Sequence, residues 1–194
     1  MSSDSRGGET RRKVIEAAVS LMDRVGYRSV TIDAVARASG LSKSTIYRHW
    51  SSRNELVLEA FSSHVDEVTE VVDTGDAIAD LRTYLLKLAF RVSLGGAGSI
   101  VTGLIKDSFG RPEFAEIFRV KVIEPRRHVF MQILLRGQQR GQIRSDVDLK
   151  SAVDAIYGSI HHRLLMTGQP VDAAFASALS DFARLGLAAR PEVA

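Results

Sequence analysis

Residues 31–50 read "TIDAVARASGLSKSTIYRHW", and this stretch decides the fold. Thr31 is suited to cap a short helix that ends at Gly40, and Ser42 is suited to cap a second helix that starts at once. A glycine between them accepts the positive φ that a tight turn needs. Small Ala36 in the first helix lets the second come close, while Val35, Leu41 and Ile46 are placed to hold both against a supporting helix. With those positions buried, Ser42, Lys43, Ser44, Thr45, Tyr47, Arg48 and His49 are left facing outward. Such a set suits DNA. A capped helix N-terminus offers N–H groups and a positive dipole end to phosphate. Hydroxyls bond phosphates or base edges, and arginine pairs with guanine N7 and O6. Trp50 reads as a packing residue.

The supporting helix is predicted over 10–25, with Thr10 as its cap and Val14, Ala17, Ala18, Leu21, Met22 and Val25 at helical spacing. Residues 1–9 are expected to form a disordered arm. A fourth helix is predicted over 53–72, and further helices over 77–94, 99–109, 113–140, 149–167 and 171–188. Pro125 should kink the 113–140 segment or start a new helix within it. "GGAG" at 95–98 follows a helix rather than a strand, so it reads as an interhelical break and not a phosphate loop. The chain is therefore read as all-α, with about nine or ten helices.

Charge is distributed unevenly. Residues 11–53 carry nine Lys and Arg against three acids, whereas 61–194 carry 16 of each. A local cationic surplus is the footprint of a polyanion binder, although a solvated basic face has the same composition. The 194 residues contain no cysteine, which excludes disulfide scaffolds and cysteine metal or redox sites and fits a reducing cytoplasm. No apolar signal core opens the chain, and no segment approaches the roughly 18 apolar residues of a membrane span. A cytoplasmic protein without membrane partners is the expectation.

The stretch "TIDAVARASGLSKSTIYRHWSSRNELVLEAF" at 31–61 resembles the DNA-binding domain of the tetracycline-repressor (TetR) family. The resemblance rests on Thr31, Ala36, Gly40 and the Thr45-Ile46-Tyr47 core. Arg53 stands where the family usually has a phosphate-contacting lysine, and Trp50 where phenylalanine is common. "SDVDLKSAVDAIYGSIHHRLLMTGQPVD" at 145–172 is similar to one type of body within the family. The resemblance implies a helix-turn-helix domain at 1–55 and a ligand-binding and dimerisation body at 56–194. It also implies double-stranded operator DNA, a small-molecule effector and a second copy of the chain as partners. Thr31, Ser42, Lys43, Ser44, Thr45, Tyr47, Arg48, His49 and Arg53 are the expected DNA contacts.

The last two predicted helices are markedly apolar. Ile156, Ile160 and Leu164 on one, and Phe175, Leu179 and Phe182 on the other, fit either a closed monomer core or a four-helix dimer interface, and the resemblance favours the interface. For the effector pocket it implies, the candidate lining is Phe61, His64, Phe90, Phe109, Phe114, Phe118, Phe130, Met131, Tyr157 and His161, each equally explicable as core. Their aromatic bias suggests an apolar or aromatic effector.

The function expected is a ligand-responsive dimeric transcriptional regulator, usually a repressor in this family, released from a pseudo-palindromic operator. A nonspecific architectural DNA binder would need its basic charge spread along the chain. A small helical enzyme would need a motif such as HExxH, a nucleophile elbow or a P-loop, and none is present. No catalytic residue, cofactor or metal site is expected; the adjacent His161 and His162 diverge by about 100° on a helix.

Overall fold

The computed structural model describes residues 3–66, 72–93 and 97–189. Ten α-helices occur among them: α1 Ser3–Val25, α2 Ile32–Ser39, α3 Lys43–Tyr47, α4 Arg53–Asp66, α5 Ala77–Ser93, α6 Ala97–Ser108, α7 Pro112–Phe118, α8 Glu124–Gln139, α9 Leu149–His162 and α10 Ala173–Leu187. The described residues hold no strand, only one antiparallel bridge between Ile143 and Ala188. The fold is all-α. Residues 67–71 of the expected fourth helix and 95–96 of the expected break lie outside the described residues, while 97 and 98 already belong to α6.

Local chemistry accounts for most helix ends. Thr31 caps α2 by accepting the Ala34 N–H at 3.1 Å, and Asp148 and Asp172 cap α9 and α10 in the same way. At the start of α4, Ser52 accepts the Glu55 N–H at 3.2 Å while the Glu55 carboxylate accepts the Ser51 N–H at 2.8 Å. Two ends differ from expectation. α1 begins at Ser3 rather than Thr10, so residues 3–9 are helical in spite of Gly7 and Gly8 and not an arm, and Glu9 pairs with Lys13 one turn on at 3.0 Å. The 113–140 segment is divided by a π-helical turn at Arg119–Ile123, just before Pro125 in the first turn of α8. Proline has no N–H to give the carbonyl four residues back, and the widened turn accommodates that loss.

Two compact units result. One comprises α1–α4 with α6 and α7, and the other α5 with α8–α10. In the first, Val14, Ala18 and Met22 of α1 are buried with Val35 of α2, Ile46 of α3 and Leu56, Val57 and Ala60 of α4. Ile100, Leu104, Phe118 and Val122 extend that buried set. In the second, Leu81, Leu85 and Ala89 of α5 pack with Phe130, Ile133 and Leu134 of α8, Val153, Ile156 and Ile160 of α9, and Leu179, Ala183 and Leu187 of α10. Ile156, Ile160 and Leu179, expected at a dimer interface, are thus enclosed within one chain. Their stripes face α5 and α8, and burying them there takes them from water without a second copy.

Candidate nucleic-acid interface

Gly40 holds φ 70° and ψ 17°, the left-handed conformation that turns α2 into α3. The Leu41 N–H returns to the Ala36 carbonyl at 3.2 Å and closes the turn. Ser42 Oγ then accepts the Thr45 N–H at 3.2 Å and lies 2.8 Å from Ser44 Oγ and 2.9 Å from Thr45 Oγ1. Fully buried Val35 and Ile46 fix α2 and α3 in the core of their unit. Only 43–47 are α-helical. The chain turns off at Arg48 and His49 because Trp50 is drawn inward, 1% exposed, with its indole N–H on Glu59 at 3.1 Å.

Most of the predicted contacts are exposed. Ser42, Lys43, Ser44, Tyr47 and Arg48 are exposed, Tyr47 at 54%, and Thr45 is half-buried. Thr31 is exposed at the start of α2. His49 is set apart from them. It is half-buried, its ring lies tilted 5.5 Å from Trp50, and its Nε2 is enclosed without a hydrogen-bond partner.

Arg53 also differs from the expected phosphate contact. Its Nε donates to the Val30 carbonyl at 2.6 Å, and a terminal nitrogen donates to the Tyr27 carbonyl. The other terminal nitrogen meets Asn54 at 3.1 Å and Asp107 at 3.5 Å, and the guanidinium lies 4.3 Å over the Tyr27 ring. The Tyr27 hydroxyl donates to Asp107. Burial, together with that bond to Asp107, pushes the Tyr27 phenol up to about 12 against the opposing pull of Arg53. Arg53 therefore fastens the turn that leads into α2.

Several other basic side chains are paired. Arg11 makes two 2.8 Å bonds to Glu59, Arg12 meets Glu16 at 3.2 Å, and Lys43 meets Asp33. Arg37 at the end of α2 and Arg48 at the end of α3 are exposed and make no ion pair among the described residues. Motif reasoning passed over exposed Arg37; its place in the last turn of α2, three residues before Gly40, was the available signal.

The candidate effector residues do not form one group. Phe61 and Phe118 are buried in the first unit, Phe114 stacks on Phe118 with centroids 6.4 Å apart, and Phe109 is exposed. In the second unit Phe130 lies 5.7 Å from Tyr84 and 5.8 Å from Tyr157, and His161 lies 6.2 Å from Tyr157. The Tyr84 and Tyr157 hydroxyls are bonded to each other. Burial raises both phenol pKa values and lowers that of His161, so all three are neutral near pH 7. Met131 is half-buried against the same core, and Phe90 is exposed. The side chain of His64 lies outside the described residues.

A capped helix pair joined by a left-handed glycine, supported by α1 and presenting hydroxyls and a free arginine, defines a helix-turn-helix DNA-binding regulator. Residues 14–60 match the profile "Bacterial regulatory proteins, tetR family", and residues 71–183 match "Tetracyclin repressor-like, C-terminal domain". The chain is 32% identical over 163 residues to the HTH-type transcriptional regulator YdeS of Bacillus subtilis, covering 84% of this chain and 82% of that one. It is also 32% identical over 176 residues to the DNA-binding transcriptional repressor TetR of Mycobacteroides abscessus, covering 90% and 92%. The crystal structure of the TetR family transcription regulator SCO0332 superimposes with a TM-score of 0.80 at 34% identity, over 92% of this chain and 98% of that one. The chain belongs to the TetR family of transcriptional regulators.

Proposed function

We propose that the chain is a homodimeric repressor that holds a pseudo-palindromic operator and is released by a small apolar or aromatic effector. The observation that carries the DNA-facing part is the exposed end of α2 and α3, where Arg48 makes no ion pair among the described residues beside the hydroxyls of Ser42, Ser44 and Tyr47. The repressor sense is supported by the relative named as one. Functionally the chain divides into a DNA-binding part at 1–55 and an effector and dimerisation part at 56–194.

The dimer surface we assign is the outward face of α9 and α10. Phe182 and Leu185 stand 73% and 75% exposed there. Small Ala155 and Gly158 of α9, with Ala174 and Ala178 of α10, are exposed too and permit close helix approach. An apolar face of this kind is what a two-fold four-helix contact buries. Of the residues expected at the interface, Phe182 keeps that role, Phe175 and Leu164 are partly buried in their own unit, and the other three belong to the monomer core.

The test is protection of the DNA upstream of the chain's own gene by purified protein. A protected pseudo-palindrome with half-sites about one helical turn apart is expected. Arg48→Ala should cost about 1–3 kcal/mol and relax preference at one position of each half-site. Binding without sequence preference, or an Arg48→Ala variant that keeps the wild-type preference, would remove the basis for the reading.

A further inference from the structure

Within the first unit a cleft of about 750 Å³ opens beside the turn that Arg53 fastens. Val25, Tyr27 and Gly103 give it apolar wall, and Arg53, Lys106 and Asp107 bring charge to it. None of its lining residues is among those expected to line an effector pocket. Its volume falls in the range of small-molecule sites, about 300–1,000 Å³, and apolar walls with a few convergent polar groups are the usual composition of such sites.

The charges do not cancel. Among the described lining residues Asp107 is the only carboxylate. It is already engaged, accepting from the Tyr27 hydroxyl and lying 3.5 Å from Arg53. Lys106, the next residue on α6, is exposed and makes no ion pair among the described residues. The Thr102 hydroxyl donates to the Gly98 carbonyl at 2.8 Å, so its oxygen can only accept from a ligand. An ammonium without an ion pair among the described residues, a second cation at the wall and the apolar surface of Val25 with the edge of Tyr27 together favour an anion with a flat apolar body.

We propose that this cleft binds small aromatic carboxylates, with Lys106 as the anchor for the carboxylate and exposed Val25, beside the edge of the Tyr27 ring, as the apolar contact. Arg53 and Tyr27 hold the turn that leads into α2, so a bound carboxylate that draws Arg53 from Asp107 acts on the segment positioning the helix-turn-helix. Occupancy of the cleft does not depend on the regulatory reading, whereas an effect on operator affinity rests on it.

The experiment uses the full chain, isotopically labelled, titrated with 2-naphthoate and followed by amide chemical shifts. Saturable shifts at residues 25–27 and 102–107 are expected, with the uncharged 2-naphthamide binding about tenfold or more weakly. Lys106→Gln, at an exposed position that leaves the fold intact, should weaken 2-naphthoate by a similar factor and leave 2-naphthamide unchanged. Shifts that do not saturate, that lie elsewhere, or that are the same for both compounds would overturn the proposal, as would an unchanged affinity in Lys106→Gln. Operator protection measured without 2-naphthoate reports on the regulatory reading separately, so either can fail alone.

Discussion

Replacing Gly103 by alanine tests how firmly Tyr27 is seated on α6. At an open position inside a helix, Gly→Ala stabilises by about 0.8–1.0 kcal/mol. At Gly103 the added Cβ would lie 2.3 Å from Tyr27 Cδ1, 2.5 Å from Cε1 and 2.8 Å from Cγ. Those are ring atoms close to the backbone, not the free end of a flexible chain. The ring is 6% exposed, its hydroxyl is held by Asp107, and Arg53 covers one face. Overpacking of this kind costs about 1–3 kcal/mol, so the net change should run from nothing to a loss of about 2 kcal/mol. In a Tyr27→Ala background the space is empty, and the same Gly103→Ala change should recover its gain of about 1 kcal/mol. The double-mutant cycle should therefore show a coupling of about 1–3 kcal/mol. Urea denaturation followed by the fluorescence of Trp50, the sole tryptophan and buried in the same unit, provides the assay. Should Gly103→Ala stabilise both backgrounds equally, with coupling below about 0.5 kcal/mol, the seating of Tyr27 on α6 would be refuted.

Glu59 gives a pH signature. Burial raises its pKa, but the bonds from Arg11 and Trp50 outweigh that and hold it below the ordinary 4.5. A depressed carboxylate contributes fully above the ordinary value and loses its contribution as pH falls through the lowered one, so Glu59→Gln should flatten the acid limb of stability monitored by Trp50. Glu59→Ala strands the buried indole N–H and should cost about 1–3 kcal/mol at pH 7 in the same denaturation assay. At the proposed dimer face, Phe182→Glu and Leu185→Glu should shift sedimentation toward monomer; Ile160→Ala, in the enclosed core, should cost about 2–5 kcal/mol of stability instead. Retention of the dimer by both Glu variants would place the interface elsewhere.

What could be read in the sequence was what neighbouring residues decide. Thr31, Gly40 and Ser42 act within four residues of themselves, and each takes the cap or turn that its chemistry favours. Pro125 announced a break for the same reason, though not that the break would be a π-helical turn. Periodicity showed that Ile156, Ile160 and Leu179 share apolar stripes, but a stripe carries no label for the surface that covers it. Phe182 was read into the same stripe as Leu179, although it lies exposed while Leu179 is buried. The seating of Tyr27 left no mark at all, because Gly103 and Asp107 come to it from about eighty residues along the chain.

Arg53 shows most plainly what separates a cation in a sequence from a cation available to DNA. Lys43 is paired with Asp33, but both are more than half exposed, and such a pair is worth about 1 kcal/mol or less. A phosphate can displace Asp33 from it at little cost. Arg53 is only 26% exposed and donates to the backbone carbonyls of buried Val30 and Tyr27. Removing a donor from a buried acceptor costs about 1–3 kcal/mol, more than a screened phosphate contact at the surface returns. In the proposed reading the electrostatic grip on DNA falls to Arg37, Lys43 and Arg48, at or near the ends of α2 and α3. Arg53 contributes by keeping the turn before α2 in place, and that is also why an anion in the adjoining cleft has something to act upon.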